Sequence, residues 1–214
     1  YAQLTPPKFT AHPDLKVPVL AKKSDGTQIG IQSPNPTVLP GEGILEDVTM
    51  QSFYDLQSNA SQQNRIYLYD DGTIGATSMM AHETSFTDRG TGYNYYDGTT
   101  WGPQPAARIE TVKTGWPSYA PLGANGEIVI AHQSGTTPMI ISKRATKGTG
   151  AWTQSELPPP AGASGLLWGR MVTSGPDRMT VHVMVLTAPV ANGGTVWNDL
   201  DGALVYNRSL DGGD

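Results

Sequence analysis

Trp116-Pro117-Ser118-Tyr119-Ala120-Pro121-Leu122 and Trp168-Gly169-Arg170-Met171-Val172 stand 52 residues apart and open two stretches that can be laid over one another. The first runs on through Asn125-Gly126, Glu127–His132, Met139–Lys143 and Trp152; the second through Gly175-Pro176-Asp177, Met179–Leu186 and Ala203–Ser209. Working outward, a third line precedes them. It consists of Asn64-Arg65-Ile66-Tyr67-Leu68-Tyr69, the turn Asp70-Asp71-Gly72, a returning strand Thr73–Met80, Gly92–Asp97 and Trp101. Trp101 and Trp152 are 51 residues apart. A period near fifty, with about four short strands per unit, predicts β-propeller blades. The strand-rich composition of each unit excludes helical arrays of similar period.

Composition agrees. Of 214 residues, 25 are Gly and 17 are Pro, so turns interrupt the chain too often for long helices. Fourteen Lys and Arg against 19 Asp and Glu give a net charge of −5, which argues against a nucleic-acid partner. With no cysteine, a thiol nucleophile, a disulfide framework and a Cys-ligated zinc are excluded. The longest apolar run, Val181–Leu186, is far short of a membrane span, and no transmembrane segment is expected. Seven prolines fall in residues 1–45, which predicts an extended Pro-rich lead-in with edge strands only near 17–20 and 28–31.

The expected fold is therefore all-β: a lead-in over 1–45, then a partial propeller of about three four-stranded blades over 46–214. Propellers close with roughly four to eight blades, so the array is expected to continue beyond Asp214. Its open faces would be covered by the remainder of the propeller or by a second chain.

Ser209-Leu210-Asp211-Gly212-Gly213-Asp214 resembles the start of an Asp box, Ser-x-Asp-x-Gly-x-Thr-Trp, and Tyr95–Trp101 resembles a shorter copy. Gly148–Trp152 keeps the glycines and the tryptophan. On these motifs the chain resembles the BNR, or Asp-box, propellers, which include sialidases. Tyr54–Gln57, Gln63–Thr73, Gly90–Tyr95 and Gly115–Pro121 resemble a group of secreted bacterial propellers that often carry a type IX secretion sorting domain. The resemblance implies a secreted or cell-surface location. The boxes themselves are structural: glycine supplies positive φ, the Asp carboxylate accepts turn amides, and the Trp seals the turn.

The same resemblance carries a catalytic expectation. Arg65-Ile66-Tyr67 followed by Asp71-Gly72-Thr73 is similar to the sialidase Arg-Ile-Pro opening, with Tyr67 where the family has proline. It implies that Arg65 grips a substrate carboxylate and that Asp88, 23 residues later, is the acid/base. The plain alternative is a strand-end arginine packing its stem and a loop carboxylate. His82, His132 and His182 are spaced by fifty, but their offsets from the turns differ, so they and His12 read as ordinary histidines and no metal or other cofactor is expected. Carboxylates for glycoside hydrolysis could come from Glu83, Asp88, Glu110, Glu127 and Asp199, with no pair favoured. Tyr93, Tyr95 and Trp197 are candidate sugar-stacking rings, while Trp116 and Trp168, placed alike, read as core residues of the repeat. Two functions follow. One is a non-catalytic glycan- or protein-binding display module. The other is the N-terminal half of a sialidase-like exo-glycosidase.

Overall fold

The computed structural model describes residues 47–57, 63–133 and 137–214, so the expected lead-in, its two edge strands and His12 lie outside the described residues. Residues Glu46–Asp214 form a unit of their own. Its described part is all-β, with one 3-10 turn at Val190–Asn192. Three antiparallel sheets follow one another along the chain. The first holds β1 (Ile66–Leu68), β2 (Ile74–Met80) and β3 (Gly90–Tyr96). The second holds β4 (Thr114–Leu122), β5 (Gly126–Gln133), β6 (Met139–Arg144) and β7 (Thr153–Leu157). The third holds β8 (Leu166–Ser174), β9 (Thr180–Thr187) and β10 (Leu204–Ser209). Only the second has the four strands expected of each unit, and the described residues do not close into a ring.

The middle sheet is covered on both faces, which is why β5 reads Glu127-Ile128-Val129-Ile130-Ala131 with almost no polar alternation. Ile128 and Ile130, with Ala120, Met139 and Ile141, meet Met171, Val181, Val183 and Val185 of the third sheet in a dry core. The opposite face carries Glu127, Val129 and Tyr119 toward the first sheet, where β4 packs on β2 and β3.

That second interface is polar. The Glu127 carboxylate is fully buried and paired with Arg144. It also accepts from Tyr119 Oη at 2.5 Å, from Tyr93 Oη at 2.9 Å and from the Gly148 amide at 3.2 Å. Tyr69 Oη lies 2.6 Å from Tyr119 Oη and extends the chain into the first sheet. The Arg144 guanidinium lies 4.4 Å from the ring centroids of both Tyr93 and Trp152. The buried Glu127 charge is tolerated here because both of its oxygens are hydrogen-bonded and Arg144 opposes it, although Arg144 Nη2 is left without a hydrogen bond.

The third sheet buries one face and leaves the other open. Val172, Met184, Leu204 and Tyr206 on that open face are 50%, 47%, 62% and 59% exposed. The strand ladders show what stands in for what. Val172, His182, Met184 and Tyr206 occupy the register positions of Ala120, Ile128, Ile130 and Ile141 in the middle sheet.

Candidate functional site

The edge strands β1, β4 and β8 converge where the three sheets meet. Tyr119 N donates to Asn64 O at 2.8 Å. Met171 N donates to Ser118 Oγ at 3.0 Å, and Asn64 Nδ2 donates to Met171 O at 3.1 Å, closing a triangle. Two arginines flank it. Arg65 donates from Nη2 to Gln57 O at 3.0 Å, while its Nε and Nη1 are buried without a hydrogen-bond partner. Burial, reinforced by the charge of nearby Arg170, lowers its pKa to about 10. Arg170 lines an apolar cavity of about 210 Å³ with Asn64, Ser118, Met184 and Tyr206.

Each of β4 and β8 carries a bulge beside this convergence. Trp116 and Pro117 stand opposite Ala131 alone, and Trp168 and Gly169 stand opposite Val185 alone. Both tryptophans hold φ at 54°. Positive φ is a place that glycine ordinarily fills, because a Cβ meets the neighbouring carbonyl there. The two rings are partly exposed and outside the dry core, which corrects the expectation that they are core residues of the repeat. The sequence did hold a signal. Pro117 and Gly169 directly follow, and within strands these residue types gather at bulges. Around Trp168 the backbone is fixed from both sides: its N–H points to His132 Nδ1 at 3.4 Å, and its carbonyl accepts from Arg170 Nη1 at 2.6 Å. The His132 and Trp168 rings meet edge to face with centroids 6.3 Å apart. Arg89 lies against Gly115, next to Trp116.

The other expected site residues are distributed differently. Arg65 lines a cavity with Tyr54, Gln57 and Ser78, whereas Asp88 lines a different one with Arg108 and Glu110. Asp88 accepts from the His82 amide at 2.6 Å and the Glu83 amide at 3.2 Å. Desolvation works upward on its pKa, but these amides outweigh it and hold the group below its ordinary value. Glu110 is buried and accepts from Thr91 N at 2.9 Å and Thr91 Oγ1 at 2.5 Å; burial raises its pKa. Tyr93 is no surface ring, because its hydroxyl is turned inward to Glu127. The Tyr95 ring closes on Gly148. Trp197 is partly exposed and tied by Nε1 to Ala161 O at 3.0 Å.

The described histidines go to separate partners: His82 Nε2 to Pro105 O at 2.9 Å, His132 to Trp168, and His182 to Ser174 and Tyr206. Among the described residues no group of three or more His, Asp or Glu is placed to hold a metal ion. None of the described helices is long and apolar enough to cross a membrane.

No protein-family model matches the chain, and no curated protein matches it. Among solved structures it is similar to a Dyadobacter fermentans protein described as of unknown function, at 13% identity and a TM-score of 0.39. The match covers 69% of this chain and spans 52% of the length of that one. A likeness of that size carries no argument about the site.

Proposed function

We propose that the chain is an arc of a β-propeller of the Asp-box kind, displayed at the cell surface or secreted, and that it binds glycan or protein ligands without catalysis. The observation that carries the non-catalytic reading is the state of three of its five candidate acids. Asp88, Glu110 and Glu127 have both carboxylate oxygens taken by scaffold donors. Glycoside hydrolysis needs a carboxyl pair open to substrate and water, and these three are engaged in holding loops and sheets. Turn chemistry supports the Asp-box likeness: Asp97 Oδ1 accepts the Thr99 and Thr100 amides at 2.8 Å, and Ser209 Oγ accepts the Gly213 amide at 2.7 Å. The open face of the third sheet supports a further blade or a second chain packing there.

A sialidase-like exo-glycosidase remains the second reading, favoured by the two buried, unpartnered nitrogens of Arg65. One experiment separates the two. The protein is incubated with fluorogenic sialoside, glucoside and galactoside substrates and, in parallel, passed over a glycan array. Array binding with no hydrolysis is expected. Turnover of the sialoside that is lost in Arg65→Ala and Asp88→Asn would replace the binding reading with the enzyme.

A further inference from the structure

We infer that Trp116 and Trp168 form a two-step aromatic platform for a carbohydrate chain, one sugar ring on each indole, beside the triangle of β1, β4 and β8. The inference deepens the binding-module reading and rests on it. Its first ground is strain. A bulky side chain at positive φ costs on the order of 1–3 kcal/mol, and such outliers persist where the surrounding structure over-determines them. Here the outlier occurs twice, with the same residue type, the same φ of 54° and the same bulge register. Core packing does not account for it, since neither ring belongs to the dry core and both keep part of their surface exposed.

Position is the second ground. Each tryptophan opens its bulge two residues before the strand pairing resumes, at Ser118 in one case and at Arg170 in the other. The repeat therefore presents both indoles at equivalent places on neighbouring strands. The third ground is chemistry. A pyranose has an apolar C–H face and a rim of hydroxyls, so it suits a flat ring bordered by polar groups. Behind the ring, buried His132 packs edge to face on Trp168 and Arg170 holds its backbone carbonyl, while the Arg89 guanidinium lies beside Gly115, next to Trp116. Two platforms at repeat spacing select an oligosaccharide over a single sugar.

The test titrates the protein with chitohexaose, cellohexaose, xylohexaose and the corresponding monosaccharides by calorimetry. Footprinting by hydroxyl radicals accompanies it, with and without the bound hexasaccharide. At least one hexasaccharide is expected to bind, its monosaccharide at least tenfold more weakly. W116G and W168G are each expected to weaken binding tenfold or more. Glycine relaxes the positive φ and offsets part of the lost ring burial, so both variants stay folded. In the wild type, bound sugar shields Trp116 and Trp168 and leaves Trp101, Trp152 and Trp197 unchanged, a readout that does not depend on the variants folding. Failure of the wild type to bind any hexasaccharide overturns the platform. So does binding that survives in the double variant, which leaves the binding-module reading standing. Cleavage of a bound hexasaccharide, with both indoles shielded, instead overturns the non-catalytic reading and keeps the platform.

Discussion

Burial, helped by the charge of Arg89, lowers the His132 pKa from 6.5 to about 3, so the folded ring is neutral. The unfolded chain binds a proton near pH 6.5 that the folded chain refuses. The contribution of His132 is therefore complete above pH 6.5 and is lost as pH falls toward 3, with a slope of up to about 1.4 kcal/mol per pH unit. His132→Gln should flatten the acid side of the stability curve, measured by urea unfolding between pH 6.5 and 4. Glu110 works in the opposite sense. Its folded pKa is raised by burial, so its contribution is complete below the unfolded value and is lost as pH climbs through the folded one. Glu110→Gln should lose less stability than the wild type as pH rises above about 5, in the same unfolding series. A variant curve that runs parallel to the wild type would show that Thr91 holds the ionised and neutral carboxyl equally well.

At the scale of strands and sheets, equivalent positions have unequal duties. Ile141 and Tyr206 share a register, yet Ile141 is 8% exposed and Tyr206 is 59% exposed. Ile141→Ala should destabilise by about 2–4 kcal/mol, and Tyr206→Ala by under about 1 kcal/mol, in thermal or urea unfolding. Equal losses would mean that the open face is covered in solution. The hairpin at Asp70-Asp71-Gly72 was legible because its turn residues sit between two alternating apolar runs, and the structure turns there on Gly72 at φ 82°. The Trp116 and Trp168 repeat was also legible as a period. Its backbone was not, since nothing in a tryptophan signals positive φ, and only Pro117 and Gly169 hinted at a bulge. Tyr93 misled for a related reason. A tyrosine in a half-polar strand reads as a surface ring until Glu127, 34 residues on, takes its hydroxyl. Sequence patterning reports which face a residue prefers and is silent on partners supplied by another sheet. The absence of a fourth strand from the first sheet, among the described residues, was likewise beyond periodicity, because pairing depends on what lies alongside.

Across the whole described unit, the first sheet is tied to both others at one end. Asp71 meets Lys147 at 2.6 Å and Asp70 meets Arg178 at 3.3 Å, while the two cations lie over Tyr69 and Tyr67. The acids are exposed, so these links should weaken with salt and leave most of the stability in place. The Asn64 amide is the more telling link, since it joins the first and third sheets directly. Asn64→Ala should remove about 1 kcal/mol. It should also speed amide exchange in β1 before the middle sheet responds, read by hydrogen exchange with mass spectrometry. Uniform acceleration would mean that the three sheets open as one. The same amide sets a clock. Its acceptor, the Met171 carbonyl, comes 107 residues later. At the pace of ribosomes, about 5–20 residues per second, that is a wait of roughly 5–20 s. A nascent chain thus holds the first of its described sheets without this clasp while the whole second sheet and the opening strand of the third are made.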